Sequence, residues 1–172
     1  MIELKSYLPT DAKSILSWIN DEKTMKMWSR NVFSSYPLTE AELNSYYLAK
    51  SEEGEFCPLS FWDDNTLAGH AIISIDGNVA RMGFIIIDPA LRGAGFGKKI
   101  VSLALGFAFS KSGVEKVTLY VYDKNISAYN CYIKLGFTEM PCENDLHFDF
   151  FGDVWVFKLM GISREQYLSS TN

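Results

Sequence analysis

Apolar positions along the chain change period several times, and each change marks an element. A first strand is expected over 2–7, and Ala12, Ile15, Leu16 and Ile19 then recur at helical spacing behind Thr10-Asp11. Leu38-Thr39-Glu40-Ala41-Glu42-Leu43 opens a second helix, with Thr39 and Glu42 as a capping box and Leu38 able to staple onto Leu43. Strand-like runs over 56–62, 66–75 and 79–87 are separated by Asp63-Asp64-Asn65 and Asp76-Gly77-Asn78, which read as tight turns. A long helix near 98–110, a strand over 117–122, a short helix after Asn125 and strands at 137–140 and 154–160 complete the order βααβββαβαββ. The pattern therefore predicts an α/β (α+β) fold of about seven strands and about four helices.

One junction carries chemistry. Between Phe84-Ile85-Ile86-Ile87 and the helix starting near Lys98 stands Arg92-Gly93-Ala94-Gly95-Phe96-Gly97. A glycine-rich turn from strand to helix presents consecutive N–H groups at the positive end of the helix dipole, which suits phosphate. No Lys-Ser/Thr pair follows, as a P-loop requires, and R-x-x-G-x-G is not the G-x-G-x-x-G of dinucleotide folds. A plain tight connection is the other reading of such a turn.

The second motif is Asn125-Ile126-Ser127-Ala128-Tyr129-Asn130-Cys131-Tyr132-Ile133-Lys134-Leu135-Gly136-Phe137. Asn125 is a good N-cap, Ala128, Tyr132 and Leu135 share one helix face, and Gly136 suits the left-handed position that ends helices. Taken alone, Tyr132 reads equally as a core aromatic. Together the two segments resemble the GCN5-related N-acetyltransferases, whose motif A is R/Q-x-x-G-x-G/A and whose motif B is N-x-x-A-x-x-x-Y-x-x-x-G-F. The likeness is closest from Ala68 to Phe137. More loosely, the Trp18 to Trp28 region and Tyr36-Pro37-Leu38-Thr39 resemble the branch of ribosomal-protein N-acetyltransferases.

The resemblance implies a single domain over 1–172 with the acyl-CoA N-acyltransferase fold, a mixed and mostly antiparallel sheet flanked by helices, with a gap where strands four and five diverge. It implies acetyl-CoA as co-substrate. The pantetheine arm would meet the backbone of Ile85, Ile86 and Ile87, and the pyrophosphate would meet Arg92, Gly93, Ala94, Gly95, Phe96, Gly97 and Lys98, with Asn125 nearby. Lys99 would add charge, although Lys98 and Lys99 also read as solvated helix charge. The implied chemistry is direct attack of an amine on the thioester, with an N–H among Ile85 to Ile87 stabilising the oxyanion and Tyr132 protonating the departing thiolate.

The general base stays open. Some members of the family supply a Glu five residues before the motif B Asn, where this chain has Tyr120, and neutral Tyr is a poor base near neutral pH. His70, the acidic group Glu143, Asp145, His147 and Asp149, or a water relay are the alternatives. Cys131 adjoins Tyr132 and raises the possibility of an acyl-cysteine, but neighbours on a helix diverge by about 100° and no motif B partner would activate the thiol.

Composition narrows the partners. A chain of 172 residues, 48% hydrophobic and 22% charged, has ordinary globular usage, which argues against a disordered chain. A net charge of −5 argues against a general nucleic-acid binder and tolerates cationic partners such as amines. No signal-like N-terminus and no spanning apolar run occur, and three cysteines without metal-ligand spacing fit a cytoplasmic protein that needs no metal and no membrane. The acceptor is expected to be a small molecule or a protein N-terminus, bound by a monomer or homodimer. Two aromatic stretches read either as packing or as acceptor pocket: Met25, Met27, Trp28, Phe33, Tyr36 and Pro37, and Phe148, Phe150, Phe151 and Trp155. The alternative to an enzyme is a silent acyl-CoA-binding module.

Overall fold

The structure, a computed structural model, describes residues 1–143 and 146–170. Strands β1 (Ile2–Ser6), β2 (Glu55–Asp63), β3 (Thr66–Asp76) and β4 (Val79–Ile87) pair antiparallel in sequence order, and β4 then pairs parallel with β5 (Lys116–Tyr122). Beyond β5 lies β8 (Asp153–Ser163), which also holds β6 (Thr138–Glu139) and β7 (His147–Phe150), all antiparallel. The expected α/β order and mostly antiparallel sheet are present, with eight strands among the described residues where about seven are expected.

The additional elements have local causes. Helix α2 (Glu22–Ser29), not separated from its neighbours by periodicity, starts where the Asp21 carboxylate accepts from Thr24 N–H at 2.6 Å. Strand β7 turns the stretch read as an acidic loop into a hairpin with β8, because Phe148 and Phe150 alternate with polar residues and stack on one face. A terminal helix, α6 (Arg164–Ser170), follows β8 directly.

Helices pack on both faces of the sheet, and the strand alternation decides which residues meet them. On one face α4 (Phe96–Ser110) and α5 (Ile126–Lys134) cover Leu59, Ala71, Ile73, Met82, Leu119 and Val121, with Ile100, Ala104 and Leu105 as the helical side of the core. Each of the Leu, Ile, Val and Met side chains among them contributes about 1.5–3 kcal/mol by leaving water. On the other face α1 (Ala12–Ser17), α2 and α3 (Glu40–Glu53) cover Ile72, Phe84 and Ile86 through Ile15, Met25, Trp28 and Leu43. The α3 start is as the pattern predicts: Thr39 and Glu42 cap each other, and Leu38 and Leu43 are both buried. A third, aromatic cluster of Tyr122, Phe150, Trp155 and Phe157 lies over β5 and β8, with Met27 of α2 packed against it.

Candidate active site

The parallel seam between β4 and β5 is short. It pairs Val79 to Met82 with Lys116 to Leu119 and then stops, so from Gly83 to Ile87 the β5-facing edge of β4 is unpaired. A bulge produces the divergence. Against β3, Ile72 pairs with Gly83 and His70 with Ile86, so β4 holds one more residue than its partner over this stretch. Phe84 lies in the bulge at φ 49°, a left-handed conformation uncommon for an aromatic residue. Tertiary contact holds it there: the Trp28 indole N–H donates to the Phe84 carbonyl at 2.8 Å, and the two rings lie 4.9 Å apart. Past the bulge the side chains of Ile85 and Ile87 pack toward α4 and α5, while Ile86 is buried toward α1 to α3.

The glycine turn stands at the end of this free edge. Gly93 and Gly95 have φ of 78° and 81°, conformations that glycine adopts without strain, and Gly95 is the N-cap of α4. A cap without a side chain leaves the first N–H groups of the helix uncovered, and Arg92, Gly93, Ala94, Gly95, Lys98 and Lys99 are exposed. Gly97 serves a different need, since a Cβ there would lie 3.0 Å from Ile87 Cδ1. Its absence seats the first turn of α4 against the end of β4.

Helix α5 begins as expected, with Asn125 Oδ1 accepting from Ala128 N–H at 3.2 Å. That bond commits the Asn125 side chain to capping. Tyr132 is buried in the cluster that also takes in Met82, Leu119 and Val121, with Ile85 and Ile87 packed against it. Burial holds its pKa well above the ordinary tyrosine value, so the hydroxyl keeps its proton at any working pH. Cys131, one residue earlier, is half-buried, and burial likewise raises its thiol, only partly offset by Lys98 and Lys134.

The other face of the seam is cationic. Arg81 of β4 and Thr118 of β5 are register partners, and Tyr120 follows just past the last pair. Arg30, which ends α2 at φ 49°, places its Cζ 3.7 Å from the centre of the Tyr120 ring, and Arg81 Cζ lies 5.0 Å from the same centre. Phe148 and Phe157 border Arg30 at 5.5 and 5.6 Å. The two aromatic stretches thus meet through α2, mostly as packing: Met25, Trp28 and Phe33 are core, while Met27 and Arg30 reach Phe148 and its neighbours.

The candidate bases are scattered. His70 is wholly buried under α3, 2.7 Å from the Tyr47 hydroxyl, and burial pushes its pKa down to about 3. It is a neutral core residue. Glu143, His147 and Asp149 are exposed on and before β7, and Asp145 lies outside the described residues. Among the described residues no group of three or more His, Cys, Asp or Glu is placed to hold a metal ion. No helix of the described residues is long and apolar enough to cross a membrane.

A frayed parallel seam, a helix start whose N-cap has no side chain and a buried Tyr on the next helix thus stand together. The model of the acetyltransferase (GNAT) family matches residues 13–137, most of the chain. The chain belongs to the GNAT family. It is an acetyl-CoA-dependent N-acetyltransferase that acts on amines.

Among GNAT proteins, the spermidine N(1)-acetyltransferase of Vibrio cholerae is 27% identical over 162 residues, 92% of this chain and 91% of that one. The crystal structure of the Vibrio cholerae spermidine N-acetyltransferase with CoA and spermine superposes with a TM-score of 0.79 at 25% identity, covering 97% of this chain and 98% of that one. A mycothiol acetyltransferase of Salinispora tropica is 34% identical over 61 residues, 34% of this chain but only 20% of its own length. An aminoglycoside acetyltransferase bound to coenzyme A shares the fold, with a TM-score of 0.74 at 18% identity and full coverage of both chains.

In this GNAT protein the two sequence motifs and Ile85 to Ile87 gather around one gap. Sequence reasoning missed Trp28 as the residue that fixes the bulge, and Arg30, Arg81 and Thr118 as a cluster. The strict alternation Ala80-Arg81-Met82 was the available signal for Arg81, since it assigns the charged residue to the face opposite the core.

Proposed function

We propose that this enzyme, one N-acetyltransferase domain over 1–172, acetylates the primary amine of a small molecule by direct attack in a ternary complex. The observation that carries this reading is the unpaired edge of β4 between Gly83 and Ile87, flanked by the open start of α4 and the buried Tyr132. N–H groups from Gly93 to Lys98 bind the pyrophosphate of acetyl-CoA, with Arg92 and Lys98 adding charge-assisted bonds. The backbone of Ile85, Ile86 and Ile87 binds the pantetheine arm as a sheet edge binds a strand. A free N–H in that stretch stabilises negative charge on the acetyl oxygen as the amine nitrogen attacks the carbonyl carbon. The carbon–sulfur bond then breaks, and Tyr132 donates its proton to the sulfur while water carries away the proton of the amine. The spermidine acetyltransferase likeness, which spans nearly the whole chain, supports a small amine over a protein N-terminus.

Cys131 stays a thiol in this scheme, since burial keeps it protonated. Release of free CoA followed across a library of amines and N-terminal peptides tests the reading. Turnover of small amines, with intersecting initial-rate lines and activity retained in Cys131→Ala, is the expected result. Acetyl-Cys131 on the reaction path, parallel initial-rate lines, or turnover of peptides alone would overturn it.

A further inference from the structure

On the reading above acetyl-CoA lies on the α4 and α5 side of the gap, which leaves the opposite side of the sheet to the amine, and there the seam is lined by positive charge. Arg30 and Arg81 both lie against the Tyr120 ring, at the vertex where β4 and β5 part. Among the described residues neither guanidinium has a carboxylate within ion-pair distance. Burial weighs first against the charge on Arg30, Tyr120 partly offsets it, and Arg81 adds to the penalty. Two buried polar atoms at the same place are unmatched. Among the described residues Arg30 Nε has no hydrogen-bond partner, and neither has the hydroxyl of Thr118, a residue only 5% exposed that is the register partner of Arg81. Unsatisfied buried donors cost about 1–3 kcal/mol each, which a bound acceptor would recover. The shape of Arg30 is also set in advance, because its left-handed φ and the docking of α2 through Trp28 hold the guanidinium over the ring.

We infer that Arg30, Arg81 and Thr118 form an anion subsite on the acceptor side of the gap, so that the amine this enzyme acetylates also bears a carboxylate, as an α-amino acid does. This deepens the acetyl-transfer reading above and rests on it. Guanidinium forks bind a planar carboxylate in two parallel hydrogen bonds, and the Thr118 hydroxyl supplies a third donor. The same charges repel a substrate made only of ammonium groups. The acceptor of this chain therefore differs in class from the polyamines named for its Vibrio relative.

The test compares each L-α-amino acid with its decarboxylated amine, for example L-lysine with cadaverine and L-methionine with 3-(methylthio)propylamine, and includes spermidine. Both CoA release and calorimetric binding to the CoA-loaded protein are measured. At least one amino acid should be preferred over its decarboxylated partner by about tenfold or more in both measurements. Arg81→Gln, at an exposed position that the core does not use, should raise KM for that amino acid about tenfold with little change in kcat and unchanged acetyl-CoA binding. Arg81→Glu should turn the preference toward cadaverine or spermidine, and Arg30→Gln should match Arg81→Gln. Equal or better binding of every decarboxylated amine, or a preference that survives both Gln variants, overturns the subsite. A carboxylate preference in binding with no CoA release would instead strike the acetyl-transfer reading and leave the subsite standing.

Discussion

Trp28 donates its indole proton to the carbonyl of Phe84, the one non-glycine residue of β4 in a left-handed conformation. The bond joins α2 to the point where β4 leaves β5, so the width of the active-site gap depends on a side chain 56 residues away in sequence. Trp28→Phe keeps most of the apolar contact but strands a buried carbonyl, which should lower stability by about 1–3 kcal/mol. Acetyl-CoA affinity should fall as well, because the free edge of β4 is then less well fixed. Chemical denaturation and calorimetry check the two effects; wild-type values in both would show that the bulge holds itself.

The glycine turn gives the second prediction. At Gly95 a side chain would be strained by φ 81°, and at Gly97 it would press on Ile87. Gly95→Val and Gly97→Val should each weaken acetyl-CoA binding by well over about 1.4 kcal/mol, a factor of ten. Titration of the folded variants with acetyl-CoA measures this, and an unchanged affinity would place the pyrophosphate elsewhere.

Tyr132→Phe preserves the packing against Phe137, 5.8 Å away between ring centres, and removes the proposed proton donor. Turnover should fall about 100-fold with nearly unchanged acetyl-CoA affinity. Because burial raises the Tyr132 pKa, the donor stays protonated up to and beyond the ordinary tyrosine value near 10, and its loss should lower the rate by the same factor throughout the range below that. A rate profile from about pH 6 to about pH 10 for both proteins decides the matter. Equal rates would make Tyr132 a packing residue.

His70 makes stability depend on acid. Its folded pKa of about 3 lies below the unfolded value of 6.5, so between these the unfolded chain binds the extra proton. Stability is therefore full above about pH 6.5 and is lost as pH falls toward 3. His70→Gln removes the titrating group, and the fall of Tm across that window should flatten relative to the wild type. An equally steep fall would assign the acid sensitivity to carboxylates instead.

Features that a few neighbouring residues decide were legible in the sequence. The Thr39–Glu42 box, the Asn125 cap and the left-handed Gly136 at φ 92° are each set by short-range chemistry, and each is present. The site motifs belong to this class, which is why the face of the sheet used by α4 and α5 could be read so far. The acceptor face could not, because its parts are far apart in the chain: α2 brings Arg30 to Tyr120, and β7 brings Phe148 to Arg30. The Phe84 bulge is the extreme case, since its conformation runs against the preference of the residue and is met by contacts from another element.

The parallel pairing of β4 with β5 has a topological consequence. Two strands that run the same way cannot be joined by a hairpin; the chain must leave the C-terminal end of the first and travel back outside the sheet before entering the second. That return is α4, and its first residue is therefore obliged to stand at the end of β4 where the seam has already come apart. Fork and open helix start are thus two results of one connection, and any chain that keeps this crossover keeps them side by side whatever amine it serves.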